Sequence, residues 1–157
     1  MKLIRAGPKG TTELKNGASM SVVDGAIALT LNVWAVEEDM FRICFRKGET
    51  FNLDRSWMVA PGLSAEECAP EGRERMDLSG FSCPEVRVSV ANASSIGSGG
   101  AAMGDVVTVE SSRLRVVISG GPLHLEWFWR EGDGEWLPLA SDLPTGAYYF
   151  SRGGGGG

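Results

Sequence analysis

His124 is the only histidine in the 157-residue sequence, so a His-rich metal site or a Ser-His-Asp triad has this one ring to use or none. It stands between Leu123 and Leu125 in a stretch that alternates apolar and polar residues, on the face that also carries Glu126 and Arg130. A polar surface position is therefore expected for it, not a catalytic one. Of the three cysteines, Cys44, Cys68 and Cys83, none stands in C-x-x-C spacing; a zinc site would need His124 and another distant ligand, so no metal or other cofactor is expected. Gly97-Ser98-Gly99-Gly100 has the composition of a phosphate loop, but no Gly-Lys-Ser/Thr follows and it reads as linker. Asp54, Arg55 and Trp57 form the most informative group. An aromatic face beside hydrogen-bonding side chains can hold a sugar ring, although an Asp–Arg turn pair followed by an apolar anchor at Trp57-Met58-Val59 accounts for the same residues. Spacing alone assigns no catalytic, cofactor-binding or metal-ligating residue.

Charge narrows the partners. Fifteen Lys and Arg against twenty Asp and Glu give a formal charge of −5, which argues against nucleic acid or an anionic membrane and for neutral or protein partners. Three cysteines are too few for a disulfide scaffold and fit a reducing cytoplasm. Between Lys2 and Arg5 only Leu3 and Ile4 are apolar, far short of a secretory leader, and the longest apolar stretch, Gly25 to Val36, is interrupted by Thr30 and Asn32. A chain of this length supports one core, so residues 1–150 are expected to form a single domain, with 151–157 a glycine-rich tail or a truncated loop.

The elements that would position these residues are strands. Phe41, Ile43 and Phe45 take one side of a period-two pattern whose other side is Arg42, Cys44 and Arg46. The same reasoning marks Ala26–Trp34, Val86–Val90, Val106–Val109, Leu114–Ile118 and Leu123–Trp129, each β-branched or aromatic and bounded by turn formers. Gly132-Asp133-Gly134 supplies a hairpin turn leading to a return strand at Trp136. The 22 glycines among 157 residues, roughly twice the ordinary share, favour turns over helices. Between Phe51 and Gly80 a polar connection is expected with one helical turn at Ser64–Cys68, and Ala91–Gly104 reads as a mobile loop. The pattern predicts an all-β, antiparallel β-sandwich.

Two blocks then resemble the N-terminal domain of glycoside hydrolase family 31, the α-glucosidase family. The first is Val33-Trp34-Ala35-Val36-Glu37-Glu38-Asp39-Met40-Phe41-Arg42-Ile43-Cys44-Phe45, followed by Asp54-Arg55-Ser56-Trp57-Met58-Val59-Ala60-Pro61-Gly62. The second runs from Glu110-Ser111-Ser112-Arg113-Leu114-Arg115-Val116-Val117-Ile118 through Pro122-Leu123-His124-Leu125-Glu126-Trp127 to Asp142-Leu143-Pro144-Thr145-Gly146-Ala147-Tyr148. Their order and spacing cover most of residues 25–150.

The resemblance implies a galactose-mutarotase-like sandwich that packs beside the catalytic (β/α)₈ barrel of a retaining α-glucosidase. That barrel is absent from these 157 residues, and the family's nucleophile, set in a Trp-x-Asp-Met-Asn type segment, has no counterpart here. Retention needs two carboxyl groups roughly 5 Å apart, one kept protonated by its surroundings; the runs Glu37-Glu38-Asp39 and Glu66-Glu67 lie beside turns and read as solvated surface. The implied role is non-catalytic support of the barrel, with an edge of its sugar pocket, and the barrel of the same polypeptide as partner. The alternative is a stand-alone carbohydrate-binding module that stacks sugars on Trp34, Trp57, Trp127, Trp129 and Trp136. A sandwich that packs on a barrel should also keep an apolar patch, expected among Trp127, Phe128, Trp129 and Trp136, and the chain alone is expected to self-associate.

Overall fold

The run Ile-Ala-Leu-Thr-Leu-Asn-Val-Trp-Ala-Val has β-branched or bulky apolar residues at nearly every odd position, and it forms the longest strand of the molecule. The structure, a computed structural model, describes residues 2–48, 56, 60–64, 71–92 and 104–150. In chain order its strands are β1 (Lys2–Leu3), β2 (Pro8–Leu14), β3 (Gly17–Asp24), β4 (Ile27–Glu37), β5 (Met40–Arg46), β6 (Arg87–Ala91), β7 (Val106–Glu110), β8 (Leu114–Ser119), β9 (His124–Trp129), β10 (Leu137–Ser141) and β11 (Tyr149–Phe150). No helix occurs among the described residues. The helical turn expected at Ser64–Cys68 and the loop expected at Ala91–Gly104 fall largely outside them.

Two antiparallel sheets result, one of four strands in the order β2-β3-β4-β5 and one of five in the order β10-β9-β8-β7-β6. A further pair, β1 with β11, joins the two ends of the described chain. Each of the six sequence-marked strands is present within a few residues of its expected bounds. The return strand of the Gly132-Asp133-Gly134 hairpin also forms, pairing Leu137 with Trp129 and Pro138 with Phe128.

The two sheets share one hydrophobic cluster. Ala18, Met20 and Val22 of β3 and Leu29, Leu31 and Val33 of β4 meet Val107 and Val109 of β7, Val116 and Ile118 of β8, and Leu123 and Leu125 at β9. Phe41, Ile43 and Phe45 of β5 pack against the same cluster, as their alternation requires. The architecture is that of a β-sandwich, all-β and antiparallel throughout.

Where the first strands cross the second sheet, three glycines touch backbone to backbone. A Cβ on Gly120 would lie 2.4 Å from Gly7 Cα, and one on Gly7 would lie 2.9 Å from Gly104 N. Only residues without side chains allow the segment before β2 to run this close to the loops flanking β7 and β8. Ser111, 4% exposed, adds a polar tie between the sheets: its hydroxyl donates to Glu38 O at 2.6 Å and accepts from Leu114 N at 2.9 Å.

Candidate functional site

The sequence placed its interest in five tryptophans, one histidine, three cysteines and the Asp54–Trp57 segment, and the fold separates them. His124 is half-buried on β9 with Nε2 3.2 Å from the Ser141 hydroxyl on the neighbouring strand. Cys44 and Cys83 are free thiols. Burial pushes the Cys83 thiol up, with the Glu37 carboxylate adding to the shift, so it stays protonated and a poor nucleophile. Asp54, Arg55, Trp57 and Cys68 lie outside the described residues. Ser56, between them, is held by a two-way backbone bridge to Arg73, with N–O distances of 2.8 and 2.9 Å.

Three of the four described tryptophans are engaged in packing. Trp34 is 6% exposed, with the Arg42 guanidinium 5.6 Å from its ring centre. Trp127 meets Phe41 edge to face, the ring centres 6.2 Å apart and inclined at 70°, which ties β9 to β5 across the core. Trp136 has the guanidinium carbons of Arg115 and Arg130 at 4.2 and 4.4 Å from its ring centre. Arg115 is itself held by Glu110, its Nη2 2.7 Å from Oε2, and Glu110 lies 3.8 Å from Arg87, so a charged row crosses the outer face of the five-stranded sheet and ends on an aromatic ring. Phe128, expected on the opposite face from the tryptophans of its strand, is half-buried and pairs with Arg115 and Pro138 in the sheet.

Of the residues expected to form an apolar patch, Trp127, Phe128 and Trp136 are half-buried. Trp129 is exposed and pairs with Leu137 of β10; Leu137, Leu139, which falls at the register shift, and Leu143 beyond the strand are 47%, 57% and 70% exposed. β10 is the edge of its sheet and every residue in it is exposed. Alternation within β9 could find Trp129; the leucines of β10 fall on a strand whose cover no local pattern reports.

The Asp142–Tyr148 segment is fixed by its first residue. Asp142 Oδ2 accepts from Leu125 N at 2.9 Å while Asp142 N donates to Leu125 O at 3.0 Å, so the chain leaves β10 anchored to β9. Burial and the neighbouring Asp142 carboxylate push the Tyr148 phenol well above its usual range, and its ring packs against Phe45 with centres 5.1 Å apart and the planes inclined at 43°. Three carboxyls move the opposite way. The Arg5 backbone N–H at 2.8 Å lowers Asp24, the Ser82 hydroxyl and N–H lower Glu37, and the Ser79 N–H and hydroxyl, with Arg73, bring Asp77 to about 2. All three are charged at neutral pH, the state of a base or an ion-pair partner and not of a general acid. Among the described residues no group of three or more His, Cys, Asp or Glu side chains converges as metal ligands would.

No protein-family model, curated protein or solved structure matches the chain. No helix among the described residues is long and apolar enough to cross a membrane.

Proposed function

We propose that the chain is the non-catalytic N-terminal β-sandwich, galactose-mutarotase-like in kind, of an α-glucosidase-like glycoside hydrolase, and that it supports a catalytic barrel belonging to the same polypeptide. The observation that carries the reading is the exposure of Trp129, of Leu137 and Leu139 on the edge strand of the five-stranded sheet, and of Leu143 just after it. Single exposed leucines are ordinary on protein surfaces, but three within seven residues at one sheet edge are what a packed neighbour would cover. The two-sheet, all-β antiparallel architecture supports this reading.

Pro138 and the irregular register between Pro138 and Ala140 interrupt the outer edge of β10. An incoming strand would find one N–H missing and the ladder broken. A neighbour that covers β10 therefore meets side chains and not backbone, as a barrel's outer helices would.

The reading is tested on the coding sequence that follows Gly157. The longest in-frame product is expected to contain a barrel with a Trp-x-Asp-Met-Asn type segment and to hydrolyse an aryl α-glucoside, while the 157-residue chain alone does not. A reading frame that closes directly after Gly157, together with a chain that sediments as a monomer at high concentration, would reject it.

A further inference from the structure

Four strands lie at the edges of the two larger sheets, and three of them are closed to further pairing. β10 carries Pro138 with an irregular register beside it, β2 begins at Pro8 and slips register between Lys9 and Thr12, and β5 bears Arg42 and Arg46 and is exposed only at Met40. Prolines, bulges, charges and cover are the devices that keep an edge from recruiting another strand. β6 lacks the prolines, the bulge and the cover. Its five residues pair with β7 in unbroken register from Arg87–Glu110 to Ala91–Val106, include one charge, and are exposed at every position but Val88.

The apolar layer of the sandwich also runs out past this edge. Val88 packs against the core, and Val90, two residues on, faces the same way; their partners across the ladder, Val109 and Val107, are wholly buried. Val90 is nevertheless 47% exposed. A strand hydrogen-bonded to the open side of β6, with an apolar residue opposite Val90, would cover it. A preformed strand loses less freedom on docking than an unstructured peptide, and β6 is itself such a strand. Under a twofold axis perpendicular to the sheet at Ser89, a second β6 runs antiparallel to the first. Val88 then faces the partner's Val90, Arg87 the partner's Ala91 and Ser89 the partner's Ser89. Both valine pairs fall on the inner face, and no like charges stand opposite each other. Only an axis at Ser89 engages all five residues of both strands.

We infer that β6 is a dimerisation edge, at which two copies of the chain join their five-stranded sheets into one continuous sheet. The inference does not rest on the proposed function, and it uses the opposite edge of the sheet from Leu137 and Leu139. Five residues a side fall short of the roughly 20–30 of a standard interface, so the dimer is a weak one, with a dissociation constant on the order of 0.1 mM.

The test is sedimentation equilibrium of the 157-residue chain carrying Leu139→Ser, which reduces the apolar surface at β10 and so keeps the two edges apart. A monomer–dimer equilibrium is expected. Ser89→Lys and Ser89→Glu, each added to that chain at an exposed position, oppose like charges across the axis and should weaken the dimer about three- to tenfold. An equimolar mixture of the two should associate at least as tightly as their parent. In the parent, which needs no change at β6, amide exchange at alternate residues of Arg87–Ala91 should slow as concentration rises, while that of β10 does not. A parent that stays monomeric to about 1 mM, a dimer indifferent to both charges, a mixture no tighter than its components, or β6 amides that exchange equally fast at all concentrations would each overturn the inference.

Discussion

β4 and β10 are both built of small and branched apolar residues, yet one lies at the centre of the molecule and the other at its margin. From Leu31 to Val36 every residue of β4 is buried, including Asn32 at 3% and Trp34 at 6%, so both faces of that strand are covered. Its inner face meets the opposite sheet. Its outer face lies under the segment that leads to β6, where Arg42 Nη1 donates to Arg75 O, Ser82 N donates to Glu37 Oε1 at 3.0 Å and Cys83 N donates to Val36 O at 3.1 Å. In β10 no residue is buried. The contrast shows that strand composition sets whether a segment extends, while the cover it receives is decided by distant parts of the chain.

The largest effect should come from breaking the covered strand. Leu31→Ala removes a side chain with no exposure at the junction of both sheets and should cost about 2–5 kcal/mol, the range for leucine-to-alanine changes in closed cores. Urea unfolding monitored by circular dichroism measures it. A loss below about 1 kcal/mol would mean that the site collapses around the cavity and that the core is looser than its burial indicates.

The strands β5 and β9, which pack on that core from the two sheets, are the part of the fold most legible in the sequence. The alternations Phe41-Ile43-Phe45 and Leu123-Leu125-Trp127 correctly gave both the strand and its inward face. β2 and β3 escaped because Pro-Lys-Gly-Thr-Thr-Glu-Leu carries almost no apolar signal, and because Ala18 and Met20 alternate with serines without being β-branched. Pairing order was out of reach, since nothing local says that β1 should meet β11 across almost the whole chain. Of the candidate site, Trp129 was found on its strand, whereas Trp136 was not seen to be occupied by Arg115 and Arg130, which come from two other segments.

A second effect, smaller and reversible, separates the cover of β4 from the rest of the fold. Glu37 ends β4, and its lowered pKa reports the hydrogen bonds from Ser82 that pin the overlying segment; Asp77, at about 2, does the same within that segment through Ser79 and Arg73. A carboxyl with a folded pKa below its unfolded value contributes stability that is present above the unfolded value and lost as pH falls through the folded one. The overlying segment should therefore loosen between about pH 4.5 and pH 2, while the buried apolar core has no carboxyl to protonate. Amide exchange at Ser82 and Cys83, corrected for the intrinsic pH dependence, should accelerate over that interval relative to Val116 and Ile118. Equal behaviour of the two groups would show that the cover and the core open as one unit.

The smallest effect on stability is expected at β10, and there the consequence should appear in association instead. Leu139 is 57% exposed on an edge strand, so Leu139→Ser removes little surface that folding had buried and should change unfolding free energy by no more than about 0.5 kcal/mol. The same change removes one of the exposed apolar side chains at this edge, with Trp129, Leu137 and Leu143 nearby in the strand pair and just beyond it. If these exposed side chains are the surface by which the chain associates in the absence of its neighbour, sedimentation of the wild-type chain should show concentration-dependent self-association that Leu139→Ser weakens, while Val23→Ser, at an exposed position on β3 of the other sheet, leaves it unaltered. Equal association of the Leu139→Ser and Val23→Ser chains would place the contact elsewhere. A stability loss at Leu139 comparable to that at Leu31 would instead mean that β10 is covered in solution, and the difference between the two strands would disappear.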